Sequence, residues 1–360
     1  MTNNFDHGGN VFSVARSLGL KPEAVADFSA SINPLGIAPS VKEALCSSFD
    51  RCTHYPDTDA VELAAALAAF HGLGPGSVCA ANGSTELIYL LPRVLKGKKA
   101  LVIAPTFSEY AKALDREGWE IGWLELDHRN GFSLSVPLLE ERLSEGYDAL
   151  FLCNPGNPTG KLLPLGTITV VHQLCRAAGT FFVLDEAFMD FCQGESAKEL
   201  LVEGGGVILR SMTKFFAIPG LRLGYALGSP EVIAGLAAER QPWSVNTPAQ
   251  VAGLAAVADR EYQARTLQAI TAERALLAAQ LAALRGLTVY PSAANYLLIR
   301  VNEGPTATEL RERLLARAVL IRDCANFRGL DNRFFRVAVR GGKENRLLVA
   351  ELETALKAGR

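Results

Sequence analysis

Five short patterns in this sequence set residue types that do chemistry just after apolar runs. The sharpest is SMTKFFAIPGLRLGY, Ser211 to Tyr225. Lys214 stands there among Phe215, Phe216 and Ile218. A lysine in apolar surroundings loses basicity until its neutral amine can attack a carbonyl and form a Schiff base. Arg222 follows in the same tract, with a planar fork suited to a phosphate dianion, and Ser211 and Thr213 add hydroxyl donors. In FFVLDEAFMDF, Asp185 closes a strongly apolar run. A carboxylate in that place needs a cationic or donor partner, and a protonated pyridine nitrogen is one. CNPGNPTG holds Asn157 in a rigid turn built on two Asn-Pro pairs, from which its amide can donate to a phenolate oxygen. ANGSTELIYLLP sets Gly83, Ser84 and Thr85 where a strand ends and a helix begins; N–H groups and hydroxyls at a helix N-terminus make an anion site. In APTFSEY, Phe107 is positioned to stack on a planar ring.

Singly, each pattern has an ordinary structural use: a surface lysine before a turn, a helix-capping Asp, Ser or Thr, a core phenylalanine. The run GNPTGK has the look of a phosphate loop but is too short for one, and Leu162 occupies the place of the Ser or Thr that would hold magnesium. The order along the chain is what binds the patterns together: anion cup, aromatic ring, Asn, Asp, Lys, Arg, each just after a predicted strand.

The elements that must position them alternate. Short apolar runs predict strands over 77–81, 100–104, 120–125, 149–153, 181–184, 207–210 and 223–228, and amphipathic stretches predict helices over 84–96, 107–117, 137–145 and 164–178. Strands apolar throughout, separated by helices, indicate an α/β fold with a mostly parallel seven-stranded sheet covered on both faces. The first forty-five residues are broken by Gly and Pro. An Ala-rich stretch over 248–284 predicts one or two long helices, and the texture after Gly286 suggests a smaller α+β unit. The expected division is an arm over 1–45 that joins the small domain, a large domain over 46–247 and a small C-terminal domain over 248–360.

Composition narrows the class. Lys and Arg number 36 against 38 Asp and Glu, which excludes a basic surface spread over the whole chain for nucleic acid or membrane. An apolar fraction of 49% supports a sizeable core. No apolar run approaches the roughly 20 residues of a membrane span. The first ten residues lack the basic and apolar regions of a signal peptide. The seven cysteines never form CxxC, and the five histidines show no metal-binding spacing. A cytoplasmic protein without a metal site is the expectation. The near-neutral total conceals a local excess: residues 321–340 carry Arg322, Arg328, Arg333, Arg336 and Arg340 against Asp323 and Asp331.

Together the glycine cup, NPxNPTG, DEAF and SxTK…PGLRxGY resemble the fold type I pyridoxal-phosphate enzymes, close to the histidinol-phosphate aminotransferases, over nearly the whole chain. The resemblance implies pyridoxal 5'-phosphate as cofactor, carried on Lys214, with Asp185 facing the ring nitrogen and Asn157 the ring oxygen. It assigns the phosphate to Gly83, Ser84, Thr85, Ser211, Thr213 and Arg222, the stacking face to Phe107, and Tyr55 to the neighbouring site of a homodimer. Phe188 stands where aminotransferases of the group often have Tyr. With HGGN, DFSASINPLG, LIRDCANFRGL and FFRVAVR, this points to the branch that decarboxylates L-threonine O-3-phosphate to (R)-1-amino-2-propanol O-2-phosphate in cobalamin biosynthesis. Arg336 would then hold the substrate carboxylate, while Arg322, with His7, Gly8 and Asn33, would face the phosphate and carboxylate end. A histidinol-phosphate-type aminotransferase shares every cofactor residue, and a non-catalytic protein that binds the cofactor or a phosphometabolite is a further alternative.

Overall fold

The computed structural model describes residues 7–192 and 196–357. The expected arm and small domain therefore include residues, 1–6 and 358–360, that lie outside the described ones. Strand β1 (Ala26–Asp27) is followed by β2 (Val78–Ala81), β3 (Lys99–Ala104), β4 (Glu120–Glu125), β5 (Ala149–Cys153), β6 (Phe181–Asp185), β7 (Gly206–Ser211) and β8 (Gly224–Gly228). After two long helices come β9 (Leu287–Val289), β10 (Tyr296–Val301), β11 (Val319–Leu320), β12 (Arg322–Asp323) and β13 (Phe334–Ala338).

Strands β2 to β8 form one sheet in the order β2-β8-β7-β6-β5-β3-β4. Strand β8 runs antiparallel to both neighbours, and the other pairings are parallel. The sheet is buried on both sides. Along β3, Leu101 and Ile103 join the apolar layer on one face, while Ala100 and Val102 join the layer on the other. That burial is why these strands read as unbroken apolar runs. The chain leaves β3 toward β4 in one direction and β5 toward β6 and β7 in the other, so the sheet has a switch point at β3 and β5, where open α/β sheets bind ligands. Phe107 and Asn157 follow the C-terminal ends of β3 and β5, which flank it, and Asp185 and Lys214 lie at the same ends of the next two strands, β6 and β7.

A second sheet has the order β12-β13-β10-β9, and β1 pairs in parallel with β11. The N-terminal segment, which includes an eight-residue helix Val11–Leu18 ended by Gly19 in the left-handed region, is thus stitched to the C-terminal part of the chain. Phe28 N donates to Leu320 O, and Ala338 N donates to Phe28 O, each at 2.8 Å. The Ala-rich stretch is two helices, Thr247–Ala258 and Arg260–Ala282. Gly253 of the first sits against Leu63 and Leu223, since a Cβ there would meet both side chains at 2.7 Å. That helix therefore packs on the sheet-bearing part of the chain.

Behind the switch point lies a buried ion cluster. Arg210 Nη1 donates to Glu186 at 2.8 Å, and Nη2 donates to Asp190. All three side chains are at most 10% exposed. Glu186 follows Asp185 and Arg210 precedes Ser211, so the cluster ties together the two strand ends that carry the chemistry. Nearby, burial and the charge of Arg210 push the His71 imidazole down to about 2, and its Nε2 bonds the Tyr225 hydroxyl at 2.8 Å. Replacing Arg210 with Met leaves two buried carboxylates without their cation, which costs about 3–5 kcal/mol. The urea midpoint of Arg210→Met is expected to fall accordingly, and a midpoint equal to that of the wild type refutes this account of the cluster.

Candidate active site

A cavity of about 490 Å³ opens over the C-terminal ends of β5, β6 and β7 and is roofed by the N-terminal segment. It collects most of the residues singled out from sequence: His7, Gly8, Ser84, Thr85, Phe107, Asn157, Asp185, Ser211, Thr213, Lys214, Arg222, Arg322 and Arg336 all line it.

One end is an anion cup. Gly83, at φ 76°, is the N-cap of helix Ser84–Val94, and no side chain caps that helix, so Ser84 and Thr85 do not serve as its N-cap. A Cβ on Gly83 would lie 2.6 Å from Arg222 Nη2, and one on Gly224 would lie 2.2 Å from Ser84 N. Only glycine permits this approach at either position. Arg222 itself holds a left-handed backbone, φ 58°, which is uncommon for a side chain of its size. Ser211 Oγ and Thr213 Oγ1 lie 2.7 Å apart, and Lys214 Nζ donates to Thr213 Oγ1 at 2.8 Å. The amine is flanked by the Phe188 ring, whose centroid lies 5.7 Å away. Burial, then the charge of Arg222, pull Lys214 down to about 8 against the opposing pull of Asp185.

Across the cavity, Asp185 ends β6. Its Oδ2 accepts from Tyr110 Oη at 2.5 Å and its Oδ1 accepts from Ala187 N at 2.8 Å. Burial raises the carboxyl, while Tyr110, the Ala187 N–H and Lys214 pull it back. Pyridoxal 5'-phosphate, which the sequence resemblance implies, fits this donor set: a glycine cup with an arginine for the phosphate, a lysine of lowered basicity for the carbonyl, and for the ring nitrogen a buried carboxylate that bonds no cation among the described residues.

The other end carries the arginines. Arg322 and Arg336 are direct cross-strand partners on β12 and β13, and each is 7% exposed. Arg336 Nη1 donates to Asn157 Oδ1 at 2.5 Å and Nη2 to Ser29 O at 3.1 Å, while its Nε is buried without a partner. Arg322 Nη2 donates to Asn326 Oδ1 at 2.8 Å, and its guanidinium lies over the Phe327 ring. Like charges set directly opposite each other are unfavourable, so the pair points to an anionic ligand.

One sequence expectation needs adjustment. Asn33 is not in the cavity. Its Nδ2 is spent on Phe215 O, Tyr262 Oη and Thr266 Oγ1, and its N–H donates to Lys214 O. It holds the lysine turn from behind, because its amide is fully used by the interior. Two residues earlier, Ser31 does line the cavity, with a buried Oγ that has no partner. Tyr55 is 78% exposed, stacked on Trp243 at 4.7 Å, and belongs to a separate groove of its own chain. Sequence reasoning also passed over Tyr110, although FSEY places it one helical turn beyond Phe107.

The lowered basicity of Lys214 has a measurable sign. Its neutral, reactive fraction is half at about pH 8 and falls tenfold for each unit below that. Reductive methylation of the cofactor-free protein, followed residue by residue by mass spectrometry, is expected to give Lys214 a midpoint near pH 8. A midpoint in the ordinary lysine range, above pH 10, contradicts the assignment.

Comparison with known proteins agrees with this geometry. The family profile described as aminotransferase class I and II matches residues 23–351. The chain is 41% identical over 356 residues to the threonine-phosphate decarboxylase of Salmonella typhimurium, which covers 98% of this chain and 97% of that one. Among solved structures it is similar to the histidinol-phosphate aminotransferase from Clostridium acetobutylicum, at 28% identity and a TM-score of 0.86, covering 92% of this chain and 99% of that one. It is also similar to the L-threonine-O-3-phosphate decarboxylase from Porphyromonas gingivalis, at 27% identity and a TM-score of 0.82 with the same coverage. A cavity holding a half-buried lysine at the C-terminal edge of a seven-stranded sheet, and a family profile that spans the chain, lead to one conclusion: the protein belongs to the class I and II aminotransferase family, with the fold type I architecture of pyridoxal-phosphate enzymes.

Proposed function

We propose that this chain is a pyridoxal-phosphate-dependent decarboxylase that converts L-threonine O-3-phosphate to (R)-1-amino-2-propanol O-2-phosphate, a step of cobalamin biosynthesis. The observation that carries the reading is the pair Arg322 and Arg336, side by side, buried and facing the cavity. Such a pair suits a substrate with two anionic groups. The near-full-length likeness to the Salmonella typhimurium enzyme supports the same reaction.

Bound pyridoxal 5'-phosphate supplies an electron sink for the pair released when a bond to Cα breaks. The residues of this chain do the rest. Gly83, Ser84, Thr85, Ser211, Thr213 and Arg222 hold its phosphate, Phe107 covers the ring face, and Asn157 faces the ring oxygen. Asp185, kept out of water and braced by Tyr110, holds a proton on the ring nitrogen. Arg336, beside Asn157, takes the substrate carboxylate, and Arg322, with His7 and Gly8, takes the phosphate. A decarboxylase and an aminotransferase would share these cofactor residues and differ in where the arginines place the substrate carboxylate. Lys214, whose amine exchanges a proton near pH 8, delivers the proton to Cα that replaces the carboxyl. Phe188 offers no hydroxyl to the ring oxygen, in keeping with the decarboxylase branch.

The proposed working form is a cytoplasmic homodimer in which Tyr55 reaches the neighbouring subunit's site. Its exposure and its separation from the cavity of its own chain support that placement. Each protomer is divided into an N-terminal arm, a large cofactor-binding domain and a small C-terminal domain. The packing of helix Thr247–Ala258 on Leu63 and Leu223 favours a boundary near Asp259 over one at 248.

Incubation with L-threonine O-3-phosphate is expected to release carbon dioxide without 2-oxoglutarate, and Lys214→Ala is expected to lose both turnover and the yellow colour of the loaded enzyme. Turnover that depends on an added keto acid identifies an aminotransferase instead. Mixing inactive Lys214→Ala with weakened Tyr55→Ala is expected to restore activity through hybrid dimers that hold one intact site. Absence of restoration after subunit exchange rules out a shared site.

A further inference from the structure

Glu109 does not itself line the main cavity but bonds His7, which does, and the reaction as derived gives it no task. It opens helix Glu109–Arg116 and is 8% exposed. Tyr89 Oη at 2.7 Å and His7 Nε2 at 2.8 Å reach it from separate parts of the chain, and Lys112 Nζ at 3.0 Å and Ser108 Oγ at 3.5 Å from beside it in sequence. Burial pushes this carboxyl upward, but the bonds from Tyr89, Lys112 and His7 prevail and hold it below the usual range. It is therefore an ionised acceptor, and the His7 nitrogen that meets it must be the donor.

His7 is the first described residue of the arm, and its ring also touches Phe107, with centroids 5.4 Å apart. Behind it, the arm is seated without slack. A Cβ on Gly8 would lie 2.2 Å from Ser29 O, and Gly9 N donates to Ser29 Oγ at 2.9 Å. Ser29 Oγ in turn donates to Asp27 Oδ1 at 2.6 Å. His7 and Arg322 line both the main cavity and an adjoining cavity of about 230 Å³, so the imidazole stands at their junction.

We propose that Glu109 is a positioning residue that acts through His7: it clamps the arm at the cavity mouth and turns the imidazole so that its other nitrogen, Nδ1, meets the substrate phosphate beside Arg322. The inference rests on the decarboxylase reading for the identity of that phosphate. An unpaired carboxylate here would repel the substrate; tied to His7, it instead fixes the arm that holds the substrate in place. In the imidazolium form both ring nitrogens donate, one to Glu109 and one to a phosphate oxygen.

A double-mutant cycle on the loaded enzyme tests this. Glu109→Gln is expected to raise KM for L-threonine O-3-phosphate about tenfold, the size of one charge-assisted hydrogen bond, with kcat changed by less than about threefold. In the His7→Asn background, Glu109→Gln is expected to change KM by less than about twofold, because its effect runs through His7. Multiplying effects, or an unchanged KM in Glu109→Gln, overturn the proposal. A nitrogen-15 spectrum of the wild-type protein, with the His7 signal assigned by His7→Asn, is expected to show a proton on Nε2; a neutral Nδ1–H tautomer overturns the clamp. That spectrum needs neither turnover nor a folded Glu109 variant. A wild type that releases no carbon dioxide from this substrate would defeat the decarboxylase reading alone.

Discussion

Charge held away from water at the end of a sheet is the constraint on which the rest of this structure depends. Asp185 and Lys214 lie at the ends of two adjacent parallel strands, and both are displaced in basicity by burial before any partner acts on them. Neither can be left there without support. Tyr110 and the Ala187 N–H brace the carboxylate, Thr213 accepts from the amine, and Asn33 pins the lysine turn from its far side. The Arg210 cluster with Glu186 and Asp190 performs the same service one layer deeper. Much of the polar interior is thus a scaffold that keeps two reactive groups poised in a dry place, where an electron-withdrawing cofactor and a proton carrier work best.

The large sheet was legible because its strands other than the edge strand β4 are buried on both faces, which writes unbroken apolar runs into the sequence. All seven runs proved to be strands, and the residues immediately after them carry the site. The single antiparallel strand, β8, was not legible, since strand direction leaves no mark on hydropathy. The glycine cup could be read because Gly83 does what only glycine can do beside a guanidinium. Asn33 misled because a polar side chain in a Gly- and Pro-rich segment has the same appearance whether it faces a ligand or the interior. Its amide turned inward, and Ser31 faced the cavity instead. Tyr110 and Glu109 were hidden for a related reason: their partners, Asp185 and His7, lie 75 and 102 residues away. Pairings over such distances are fixed by topology, and local pattern does not encode them.

The two ends of the cavity are built on different principles. The cofactor end is built from one contiguous run of strand-to-helix turns, which set a helix N-terminus, two glycines, a left-handed arginine and the side chains beside them. The substrate end is made of side chains borrowed from distant places: His7 and Ser29 from the N-terminal segment, Arg322 and Arg336 from the last strands. The first is precise and tolerates little change. The second is where members of one family can come to prefer different acids, because an arginine or histidine can be shifted without disturbing the strands that hold the ring.

The parallel pairing of β1 with β11 has a consequence for how the molecule comes into being. The cofactor end draws on residues 83–224, a contiguous span that leaves the ribosome before the last strands. The arm, although synthesised first, has no docking strand until residues 319–320 have emerged, more than 290 residues after Ala26–Asp27. The growing chain therefore carries every residue of the cofactor end before the pairing that seats the arm becomes available. Selectivity arrives last, when the tail folds back to meet the head.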